Sequence, residues 1–90
     1  MTSSSELDPE AVRVGATIKT LREAYGWKLG ELAQAVGRSH AFLSNIEAGR
    51  KRAPRPLCSK IATVLDVPLA AIVSSEYAQA TSARETANSR

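Results

Sequence analysis

Apolar residues recur at helical spacing through most of the chain. Leu7, Ala11, Val14, Ile18, Leu21 and Tyr25 follow one another at intervals of 4, 3, 4, 3 and 4, which is one stripe of a helix. Asp8 stands where an N-cap is needed, and Pro9 suits the first helical position, where its missing N–H is no loss. Gly26 ends this helix, and Trp27 is expected to fold back on the core as an apolar anchor. A second helix is predicted from about Leu29 to Val36 and a third from about His40 to Ala48, with Ser39 as N-cap of the third and Gly49 as its stop. The basic, proline-marked stretch RKRAPRP follows as a loop. A fourth helix, Pro56 to Leu65, turns Leu57, Ile61, Val64 and Leu65 inward and is broken by Asp66. A fifth, from Pro68 to Val73, uses Leu69 and Ile72. No stretch alternates with period two for long enough to make a strand.

The expected architecture is therefore all-α, a compact five-helix domain over residues 9–74 without internal repeats. It lies between a flexible N-terminal arm (1–8) and a polar C-terminal tail (75–90). Both ends are rich in Ser, Thr, Ala and charge, a composition that favours disorder. Residues 76–87 have a weak helix as their alternative, because Ala80, Ala83 and Ala87 share a face, although short alanine-rich helices are marginal without packing.

The segment Leu29 to Ala48, LGELAQAVGRSHAFLSNIEA, carries the most information. A small residue, Ala33, lets two helix axes approach, and Gly37 can end the first of them in a left-handed conformation. Leu32, Val36, Leu43 and Ile46 then fill the angle between the helices. That is the helix-turn-helix pattern, over residues 29–48, whose second helix can lie in a DNA major groove.

Size and composition narrow the alternatives. Ninety residues make one domain, and with the polar ends set aside about sixty remain for a core that buries roughly 60% of its unfolded surface. A large enclosed substrate pocket does not fit. The single Cys58 forms no internal disulfide, suggests no metal site, and sits in the apolar pattern of a helix as a small buried hydrophobe. A lone histidine, no nucleophile–base constellation and no glycine-rich phosphate loop speak against an enzyme, and no cofactor is implied. The start MTSSSELD lacks the pattern of a signal peptide and no apolar run reaches membrane-spanning length, so a cytosolic protein without membrane partners is expected.

The net charge of +3 is unevenly placed. Arg38, Arg50, Lys51, Arg52, Arg55 and Lys60 face one acid, Glu47, across residues 38–60, so that segment carries +5 and the remainder −2. Cations gathered beside a groove-entering helix are the expected footprint of phosphate contacts.

Four stretches in order and register, LREAYGW, ELAQAVG, FLSNIEAGRKRAP and KIATVLDVPLAAI, resemble the Cro/phage-repressor family, the XRE or lambda-repressor-like helix-turn-helix domains, over roughly residues 11–73. The resemblance implies base contacts from His40, Ala41 and Asn45 on the third helix. The chemistry suits each: Asn bonds bidentately to adenine, His donates to or accepts from a base edge, and the Ala methyl meets a thymine methyl. Solvated surface roles are the alternative for His40 and Asn45. Phosphate contacts are assigned to Ser39 and Ser44, the latter with its own helix backbone as competing partner, and to Arg50, Lys51, Arg52 and Arg55. On that basis Arg50→Ala should weaken all sequences alike and flatten the salt dependence. The resemblance also implies an ion pair between Arg22 and Glu47 that locks the third helix to the first.

Three positions depart from the family pattern. The family opens its second helix with Ser or Thr and then Gln, where this chain has Lys28 and Leu29. Lys28 has no capping oxygen but its ammonium can reach the same phosphate; Leu29 loses the Gln role. Arg38 replaces a commonly apolar residue, and its charge is expected to face the DNA backbone. Gly30 inside the second helix costs roughly 1 kcal/mol of propensity and is explained only by close approach of backbone to DNA.

The resemblance implies double-stranded DNA as partner and a transcriptional regulator, a repressor acting as a homodimer on a palindromic operator. Two recognition helices would then stand about 34 Å apart. Leu57, Leu69, Val73 and the C-terminal tail are the candidates for the dimer surface, with ordinary core for the side chains and disorder for the tail as equal alternatives. Two other roles stay open: an antitoxin that binds its own promoter and holds a protein partner through the tail, and a phage Cro or excision-control protein.

Overall fold

Five helices follow in the order the apolar pattern predicts: α1 (Pro9–Ala24), α2 (Leu29–Ala35), α3 (His40–Glu47), α4 (Arg55–Leu65) and α5 (Leu69–Val73). The computed structural model describes residues 8–73. The expectations for the rest of the N-terminal arm, for the C-terminal tail and for a helix over 76–87 lie outside the described residues.

Local chemistry explains most boundaries. Asp8 caps α1 by accepting a hydrogen bond from the Glu10 N–H at 3.0 Å, with Pro9 behind it. Ser39 caps α3 by accepting from the Phe42 N–H at 3.0 Å. At the start of α2 the cap is reversed. The Glu31 carboxylate reaches back to accept from the Lys28 N–H at 2.9 Å, so an acid one turn inside the helix replaces the missing capping side chain.

The C-termini of α1 to α4 close with one hydrogen-bond pattern. After α2, the Gly37 N–H donates to the Gln34 carbonyl at 3.1 Å and the Arg38 N–H to the Ala33 carbonyl at 2.9 Å. This paired closure requires a left-handed residue, and Gly37 supplies it at φ 74. The same pairing follows α1, α3 and α4, and after α4 the left-handed residue is Asp66 at φ 61.

Small differences from the expected boundaries follow from these closures. Val36 caps α2, Ala48 caps α3, Arg55 joins α4 ahead of Pro56, and Pro68 precedes α5. Among the described residues there is no strand.

Ile18, Leu32, Leu43, Ile46, Ile61, Cys58 and Ile72 are the most deeply buried side chains. They draw on all five helices, with Val14, Ala33, Val36, Leu57, Ala62 and Leu65 around them. Trp27 packs partly buried against this cluster. One expectation is corrected. Tyr25 is 54% exposed, because it lies past the last residue of α1, where the stripe no longer faces the core. Leu57 is interior, as its place in the apolar pattern of α4 predicts, and Leu69 and Val73 are half-buried against the same core.

One contact sets the position of α3. Gly15, inside α1, lies against the C-terminal turn of α3 so closely that a Cβ there would fall 2.1 Å from the Ile46 carbonyl oxygen. Gly49 repeats the approach from the other side, where a Cβ would fall 2.9 Å from Val12 Cα. Backbone meets backbone at this crossing.

Candidate nucleic-acid interface

The crossing at Gly15 is continued by a buried ion pair. Arg22 Nε donates to Glu47 Oε2 at 2.7 Å and Nη2 to Oε1 at 3.0 Å, a bidentate fork between α1 and α3. Nη1 donates to the Trp27 carbonyl at 2.8 Å, so the same guanidinium holds the turn before α2. The Arg22 and Glu47 side chains are only 9% and 6% exposed. The hydrogen bond to Glu47 raises the Arg22 pKa above its ordinary value against the opposing effect of burial, and the charges of Glu47 and Glu23 assist. Glu47 is thus spent on the brace and does not offset the exposed cations.

With its C-terminal turn fixed, α3 presents its N-terminal end outward. Ser39, His40 and Ala41 are exposed, and Ser44 and Asn45, one turn on, are half-buried. Gly30 of α2 stands beside this edge, where a Cβ would lie 3.7 Å from His40 Cδ2 in ordinary contact. The space around Gly30 therefore does not require glycine. Lys28 is exposed. The Arg38 guanidinium stacks 4.6 Å from the centroid of the Phe42 ring, which holds it against α3.

The basic residues divide into groups. Arg50 Nε donates to Asn45 Oδ1 at 3.2 Å, and Lys51 is exposed beside it in sequence. Arg52 instead pairs with Asp8, the cap of α1. That contact and the Glu10 N–H hold the Asp8 carboxyl below its usual range, the backbone hydrogen bond contributing most. Arg52 and Arg55 line a cleft of about 290 Å³ with Glu10, Cys58 and Val73, around the N-terminus of α1. Cys58 is 1% exposed, and burial pushes its thiol pKa up. Among the described residues no group of His, Cys, Asp and Glu is arranged to hold a metal, and no helix is long and apolar enough to cross a membrane.

An exposed helix edge, braced from behind and flanked by cations, sits in a fold that other proteins share. Residues 13–72 match the family model described as a helix-turn-helix domain. The chain belongs to this helix-turn-helix family. Over 61 residues it is 39% identical to the HTH-type transcriptional regulator SutR of Escherichia coli (strain K12), an alignment covering 68% of this chain and 34% of SutR. The chain thus spans about a third of the length of that curated relative.

Solved structures agree on the helix-turn-helix fold. The clp gene regulator ClgR of Corynebacterium glutamicum superposes with a TM-score of 0.70 at 28% identity, over 74% of this chain and 86% of that one. The restriction-modification controller protein C.AhdI of Aeromonas hydrophila gives 0.69 at 25% identity, over 72% and 98%. SinR, a master regulator for biofilm formation crystallised with DNA, gives 0.58 at 35% identity, over 62% and 90%.

Four features were not read from the sequence: the Gly15 contact, the Glu31 reverse cap, the Arg38–Phe42 stack and the Arg50–Asn45 bond. Two carried a signal. Gly15 adjoins Val14 on the apolar side of a helix, where a glycine invites close packing, and Glu31 stands three residues after the cap position.

Proposed function

We propose that this helix-turn-helix protein is a sequence-specific DNA-binding transcriptional repressor that acts as a homodimer on a palindromic operator, with α3 in the major groove. The observation that supports this reading is the exposed edge of His40 and Ala41 with Asn45 one turn on, held outward by the buried Arg22–Glu47 fork. In this reading His40, Ala41 and Asn45 meet base edges. Lys28, Arg38, Ser39, Ser44, Arg50 and Lys51 meet phosphates on either side, and Arg52 and Arg55 do so at the margin near α1. Base contacts choose the sequence; phosphate contacts set affinity and salt dependence. One such module covers about half a turn of groove, so a second copy related by a two-fold axis doubles the site.

The test is selection from randomised duplexes, then mobility shifts over a range of salt. A motif of two related half-sites is expected, with log affinity falling linearly with log salt and the preference at one base pair relaxing in Asn45→Ala. A purified chain that binds no DNA at low ionic strength would overturn the proposal.

A further inference from the structure

Arg50 is the second residue past the cap of α3, and its backbone N–H donates to the Asn45 carbonyl at 3.0 Å. The residue between, Gly49, has φ 81 and lies against Val12 of α1. The Arg50 backbone is therefore fixed by its own helix and by α1. Its side chain lies along α3, where Nε donates to Asn45 Oδ1 at 3.2 Å. Arginine carries donors only, so the amide atom facing it is the oxygen and the Asn45 nitrogen is turned away.

This orientation bears on which base the pair matches. A free asparagine offers one acceptor and two donors, the complement of adenine N6 and N7. One of the two lone pairs on the Asn45 oxygen is taken by Arg50, which sets the guanidinium charge beside the other and leaves the two Nδ2 hydrogens as free donors. Donors beside a cation suit the adjacent O6 and N7 acceptors of guanine better than the mixed donor and acceptor edge of adenine. The guanidinium charge acts in the same direction, since it attracts guanine O6 and repels the amino hydrogens of adenine.

We infer that Arg50 is a positioning residue that orients the Asn45 carboxamide and turns this part of α3 from an adenine reader into a guanine reader. The inference rests on the proposed function, in which α3 reads bases, and goes beyond it by naming the base and the residue that selects it. It also replaces the expectation that Arg50 acts on every sequence alike.

The experiment is the same duplex selection carried out with the unaltered chain, Asn45→Ala and Arg50→Met, followed by affinities on duplexes varied at one pair. Asn45→Ala identifies that pair as the position where preference is lost. The unaltered chain is expected to favour guanine over adenine there by roughly tenfold. Arg50→Met, which keeps the aliphatic stem and removes the donors, is expected to shift the ratio about tenfold towards adenine at that pair only. Arg50 is exposed, so this variant keeps the fold, and circular dichroism checks it.

Two results would overturn the inference while leaving the proposed function standing. One is adenine preferred by the unaltered chain. The other is an unchanged ratio in Arg50→Met with uniformly weaker binding and a shallower salt slope. Absence of any DNA binding by the unaltered chain would overturn both.

Discussion

Gly15 and Gly30 both lie inside helices, so helix propensity alone assigns Gly→Ala the same sign at each, a gain of up to about 1 kcal/mol. The structure separates them. At Gly30 a Cβ meets only His40 Cδ2 at 3.7 Å, so Gly30→Ala should keep the gain and raise the melting temperature by a few degrees. At Gly15 the Cβ would lie 2.1 Å from the Ile46 carbonyl oxygen and 2.9 Å from that of Glu47. A carbon–oxygen contact of about 3.3 Å is the closest that is comfortable, so α1 and α3 would have to separate by about 1 Å. Both nearest atoms are backbone, and a side-chain rotation cannot relieve them. Separation would also pull on the Arg22–Glu47 fork, whose hydrogen bonds are 2.7 and 3.0 Å. Overpacking of this kind costs about 1–3 kcal/mol, and the strained fork adds to it, so Gly15→Ala should lose about 2 kcal/mol or more net. For a domain of this size that lowers the midpoint by about 10 °C or more. Thermal and urea melts followed by circular dichroism read both variants. Gly15→Ala melting at or above the unaltered protein would refute the packing argument.

Two further predictions test the electrostatics. Arg22→Ala or Glu47→Ala strands a buried charge and should cost about 3–5 kcal/mol, whereas Arg22→Met with Glu47→Leu should recover most of it; single variants within about 1 kcal/mol of the unaltered protein would show that the fork is no brace. For Asp8 the folded pKa lies below the unfolded one, so its charged form favours the folded state above about pH 4 and that contribution disappears as pH falls through the folded value. Asp8→Asn keeps a capping oxygen but not the charge, so its melting midpoint should lie below that of the unaltered protein near neutrality and converge with it in acid. A gap that persists at the lowest pH would contradict the assignment.

Much of the fold was legible because its signals are local. Caps act within three residues, as Ser39 does on Phe42, and a left-handed closure is written in a single position such as Gly37. The candidate edge at His40, Ala41 and Asn45 was legible for a related reason, since the turn glycine and the apolar residues around it determine which face of α3 remains outside. What was missed depends on partners far along the chain. Arg52 reads as one more cation in a basic run, yet it sits with Asp8, 44 residues away. Tyr25 continues an apolar interval after the helix that carries the interval has ended.

The sequence by itself determined that five helices form, where they stop, and that the second and third meet at a turn built around Gly37, because spacing and capping operate within one or two turns of chain. Only the tertiary structure decided that Gly15 is a contact and Gly30 is not, that Arg52 sits with Asp8, and that Asn45 is held by Arg50. Those outcomes depend on distances between segments that local spacing leaves free, and they are set when α1 and α3 close on each other around the buried Arg22–Glu47 pair.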